Sequence, residues 1–139
     1  MNAMLAPISD IVFQYNWLVT EAEFICDGEI WRCENDGWIM GKELLNDLAK
    51  PNAEFIWGVF SAFELNVYFD EAMKSEPPSI VQYHGYRENP VKIQHPLAQI
   101  EILAVDSSFA VFISKNDAIV DLWAANFPGT LDLEKHNNG

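Results

Sequence analysis

Hydrophobic and polar positions first alternate over residues 11–19, where Phe13, Tyr15, Trp17 and Val19 are set off by Gln14 and Asn16. A period of two belongs to a strand, and the aromatic and branched side chains favour one. Ser9 and Asp10 offer the competing reading, a helix with Ile11, Tyr15 and Leu18 on one face. Residues 23–26 and 29–32 flank Asp27-Gly28, the dipeptide favoured where both turn residues need positive φ, and predict a hairpin that sets Cys26 opposite Glu29. A second turn at residues 35–37 precedes Trp38, Ile39 and Met40.

Residues 41–50 carry a helical stripe of Leu44, Leu45 and Leu48, stopped by Pro51. Residues 54–60 have little polar relief and suit a central strand covered on both faces. Residues 65–69 read as further strand, 70–74 as a helical turn, and 80–83 and 91–94 as edge strands. Residues 98–105 and 109–114 predict an antiparallel pair across Asp106-Ser107-Ser108. Asn116 caps a last helix with Ile119, Leu122 and Trp123 inward, ended by residues 126–129.

These elements predict the α+β class: an antiparallel or mixed sheet of about six to seven strands with two to three helices packed on one side. Strict βα alternation and Gly-rich βα turns are missing, which argues against a nucleotide-binding doubly wound fold. At 139 residues the chain is expected to be one domain, loose at 1–7 and 134–139, with its native start at Met1 or Met4. Residues 1–7 lack a basic region and an apolar run of signal length, and no apolar run suits a membrane span. Two cysteines fit a reducing compartment, so the expected location is the cytoplasm.

Charge changes the picture most. The chain has 21 Asp and Glu against 8 Lys and Arg, a net charge of −13, while half its residues are hydrophobic. Disordered acidic chains lack that apolar content, so a compact body with a negative skin is expected. Nucleic acid and anionic membranes, which attract Lys and Arg, are excluded as direct ligands. The densest run is residues 21–36, with Glu21, Glu23, Asp27, Glu29, Glu34 and Asp36 against Arg32. It reads as a solvated face or as a docking patch for a basic protein, with Trp31 and Trp38 as aromatic anchors.

Signals for chemistry are few. Cys26 and Cys33 stand too far apart in sequence for a structural zinc pair, and neighbouring Asp27 and Glu29 disfavour a thiolate. No metal and no cofactor is expected. Serine-nucleophile and phosphate-loop motifs are missing, and Ser107 and Ser108 suit a hairpin turn. The one candidate pocket gathers His84, Tyr86 and His95, with Glu64 able to approach it, and would serve a small-ligand-binding or enzymatic domain.

In overall character (small, acidic, single-domain, rich in Trp, without catalytic motifs) the chain resembles bacterial toxin-immunity proteins. That resemblance implies a non-catalytic cytoplasmic inhibitor of a basic toxin or nuclease domain. No motif carries it, so it assigns no residues; the candidates are those of residues 21–36 and Trp38. A homodimer is a further possibility.

Overall fold

A computed structural model describes residues 8–26, 29–32, 37–41, 53–80, 85–106 and 109–138. Six strands among them form one antiparallel sheet: β1 (Tyr15–Cys26), β2 (Glu29–Arg32), β3 (Gly37–Met40), β4 (Ala53–Glu64), β5 (Ile100–Val105) and β6 (Phe109–Ser114). The order is β2-β1-β4-β5-β6, and β3 pairs with β1 beside β2. The class is α+β, as expected. The strand count is at the low end, because residues 91–94 form no strand and Ile80 stands in a bend, while 81–84 lie outside the described residues.

Both hairpins read from turn chemistry are present. Cys26 faces Glu29 across β1 and β2, and β5 pairs with β6 from Ile100↔Ser114 to Val105↔Phe109. At the N-terminus both readings hold in part: α1 (Ser9–Val12) is a single helical turn, and the strand begins at Tyr15 and runs 12 residues. The expected helix over 41–50 lies, beyond Gly41, outside the described residues.

The helices do not share one side of the sheet. On one face Trp17, Phe60, Ala62, Ile100 and Ile102 pack with Val12 of α1 and Trp123 of α3 (Asp117–Ala124). The other face carries two clusters. Leu18, Phe63 and Ala98 pack with Ala72 of α2 (Phe69–Ala72), and Val59, Leu103, Val105 and Val111 pack with Tyr86 and Leu133. The physical reason lies in β4 and β5, which are apolar at consecutive positions and need cover on both sides. Every residue of β5 is buried.

Asn116 caps α3 as expected, its side chain accepting from the Ala118 N–H at 3.0 Å. Leu122 is 45% exposed and so does not face inward as expected, while Trp123 stacks on Phe112 with ring centroids 4.9 Å apart. The tail forms α4 (Leu133–Asn137), capped by Asp132. It is tied to the body where Asn137 Nδ2 donates to the Tyr86 carbonyl and the Asn89 Nδ2 donates to the Glu134 carbonyl, at 3.0 and 2.8 Å. No helix among the described residues is long and apolar enough to cross a membrane.

Candidate functional site

The acidic segment 21–36 begins inside β1, and its first member is turned inward. Val19 and Thr20 pair regularly with Phe60 and Val59, but the register slips between Thr20 and Glu23. One extra residue is accommodated there, a β-bulge, and Glu21 takes a left-handed φ of 52°. This aims its carboxylate at the segment crossing between α2 and β5. Oε1 accepts from the Ser79 hydroxyl and Oε2 from the Ile80 N–H, both at 2.6 Å. Thr20 beside it donates to the Pro78 carbonyl at 2.7 Å.

A second carboxylate holds the same crossing further on. Glu101 is fully buried in β5, opposite Ser61 of β4 and on the same face as Thr20. Its Oε2 accepts from the Gln94 backbone N–H at 2.9 Å and its Oε1 from Gln94 Nε2 at 3.2 Å. The Gln94 side-chain oxygen in turn accepts from the Ser79 N–H at 2.8 Å, so both glutamates bear on one network. Burial pushes the Glu101 carboxyl above the ordinary carboxylate range, against the opposing pull of the Gln94 hydrogen bonds. The buried Ser61 hydroxyl makes no hydrogen bond among the described residues.

The other candidates of residues 21–36 are spread out. Glu23 is half-buried in β1 and Glu29 is exposed on β2. Trp31 lies on β2 opposite Phe24, and Asp27, Glu34 and Asp36 fall outside the described residues. Twelve of the fifteen acidic residues whose side chains are described are exposed, and they extend over α2, α3 and α4. The negative surface is therefore not confined to the first hairpins.

Trp38 does find partners that sequence reasoning missed. It is half-buried on β3, with its ring 5.3 Å from that of Phe63 and 5.9 Å from that of Phe69. Phe63 is fully buried, whereas Leu65, Tyr68 and Phe69 on the same connection are 58, 75 and 41% exposed. Asp70 and Glu71 follow directly and are exposed. Reading residues 65–69 as a strand hid this surface. Its signal was three large apolar residues crowded beside two acids just past a buried strand.

The pocket residues are built into the fold. His95 is 1% exposed: its Nδ1 accepts from the Leu97 N–H at 3.1 Å, so Nε2 carries the hydrogen and donates to the Ala72 carbonyl at 2.7 Å. Phe63 meets the imidazole edge-on at 4.8 Å. Tyr86 is buried, with the Arg87 guanidinium 5.4 Å from its ring centroid, and His84 lies outside the described residues. Glu64 lies exposed at the end of β4, paired with Tyr15. The Tyr15 phenol is pushed up, first by burial and then by the Glu64 carboxylate. With both imidazole nitrogens occupied by backbone, His95 positions the chain and offers no atom to a substrate.

Among the described residues no group of three His, Cys, Asp or Glu side chains is placed to hold a metal ion. A scan against protein-family models finds no match for the chain, and searches of curated proteins and of solved structures find none either.

Proposed function

We propose that this chain is a non-catalytic binding protein that captures a basic protein partner in the cytoplasm, in the manner of an immunity protein neutralising a toxin or nuclease domain. One observation carries the reading: in a chain of formal charge −13, twelve of the fifteen acidic residues whose side chains are described are exposed. A field of that sign raises the encounter rate with cations and repels nucleic acid. Among the described residues the buried Glu101 and His95 side chains are engaged in holding the fold. A solvent-facing carboxylate surface suits recognition by complementary charge, where gains fall mainly on association rate.

The test is capture of the partner from the source organism, followed by association kinetics with the purified partner across ionic strength. A basic protein whose on-rate falls about tenfold or more between low and high salt is expected. A neutral or acidic partner, or an on-rate indifferent to salt, overturns the reading. Charge reversal at Glu23 and Glu29 measures the share of residues 21–36; an unchanged on-rate removes that segment from the interface.

A further inference from the structure

We infer that the basic partner is received at the surface made by Trp38, Tyr68 and Phe69 with Asp70 and Glu71, and that it presents arginine there. The inference rests on the reading of the chain as a binder of basic proteins and names where, and by what chemistry, it binds. Contiguous exposed apolar groups mark interaction surfaces more than single ones do, and here Leu65, Tyr68 and Phe69 are 58, 75 and 41% exposed within five residues. Phe69 is not loosely hung. Phe69 packs on Trp38, and Trp38 packs on the fully buried Phe63, so the Phe69 ring is continuous with the core, with Tyr68 next to it in the chain. A rigid aromatic anchor beside charge has the make-up of an interface hot spot.

Charge complementarity selects the occupant. Asp70 and Glu71 follow Phe69 in α2, both exposed, and among the described residues neither is held in an ion pair. A guanidinium can lie flat on an aromatic face while its fork bonds a carboxylate, which an ammonium cannot reproduce. A second copy of this chain fits poorly, since it would set the same two carboxylates and another charge of −13 against the first.

The experiment is an NMR titration of the full chain with oligo-arginine and oligo-lysine peptides of equal length, at low and physiological salt. Shifts are expected to concentrate at the Trp38 indole and residues 65–71, with arginine bound about two- to fivefold more tightly than lysine. Tyr68→Ala, at an exposed site that leaves the amide spectrum folded, should erase the preference. Asp70→Asn with Glu71→Gln should weaken both peptides. Salt-sensitive binding with equal affinities, or with shifts scattered over other acids, overturns this surface and leaves the broader reading standing. Failure of both peptides to bind at low salt overturns both. Concentration-dependent shifts at these residues without peptide would make a second copy the occupant and overturn the arginine assignment.

Discussion

The two faces of the sheet are held by different means. On one, Trp17, Phe60, Ile100 and Ile102 close against α1 and α3 in an apolar cluster, with Trp17 Nε1 donating to the Val12 carbonyl at 3.0 Å. On the other, a row of polar groups (Thr20, Ser61 and Glu101) runs among apolar neighbours, and Thr20, Glu21 and Glu101 grip an irregular crossing chain. Apolar burial is strong and non-directional, so the first face supplies stability without fixing every contact. Hydrogen bonds are directional and expensive to leave unmade, so the second face fixes where the crossing lies. The comparison also divides the acids. Glu21 and Glu101 serve the interior, whereas Asp70 and Glu71 remain at the surface, a distinction that net charge does not make.

Substitutions should separate the two faces. Trp17→Ala empties the apolar face and detaches α1, and should lower unfolding free energy in urea by about 4 kcal/mol. Glu101→Ala leaves the two half-buried Gln94 donors without their acceptor and should lower it by about 2 kcal/mol. Equal and small losses for both would mean that the polar row holds nothing.

Glu101 also carries a pH signature. Its folded pKa is raised, so the folded chain binds this proton more tightly than the unfolded chain. Its contribution to stability is greatest below the ordinary carboxylate range and declines as pH rises through the folded value. Glu101→Gln removes that decline, so the gap between wild type and variant should change across the window. Parallel stability curves would contradict the assignment.

Glu21→Gln keeps one acceptor oxygen of two and should lose about 1–2 kcal/mol, with faster amide exchange at Ile80. Tyr68→Ala should change stability by no more than about 0.5 kcal/mol, as exposed positions usually do.

Local signals explain what was legible in the sequence. Asp27-Gly28 set the first hairpin, the apolar runs on either side of Asp106 set the second, and Asn116 marked the start of α3. Residues 65–69 and 91–94 were misread as strands: the first pass through a turn into α2, and the second are placed by the bonds of Glu101 to Gln94, which no periodicity records. The inward turn of Glu21 depends on a bulge, and the overlooked sign was Gly58 inside an apolar strand. A Cβ there would meet the Phe60 ring at 3.3 Å and Ala22 at 3.6 Å, so the chains approach closely opposite the bulge. Glu101 stands between Ile100 and Ile102, an alternation that would turn it outward had β5 been covered on one face only. The aromatic surface around Trp38 could not be assembled from sequence, because β3 and α2 are distant along the chain and meet only in the fold, where Trp38 packs on both Phe63 and Phe69.

Whether carboxylates inside and outside this protein do separate work can be decided by one paired measurement: urea stability and oligo-arginine affinity, taken together on Glu21→Gln and on the Asp70→Asn/Glu71→Gln double variant. The former should lose stability and keep its affinity, and the latter should keep stability and lose affinity several-fold. If Glu21→Gln weakens peptide binding as much as the double variant does, with stability untouched, the division of labour is wrong.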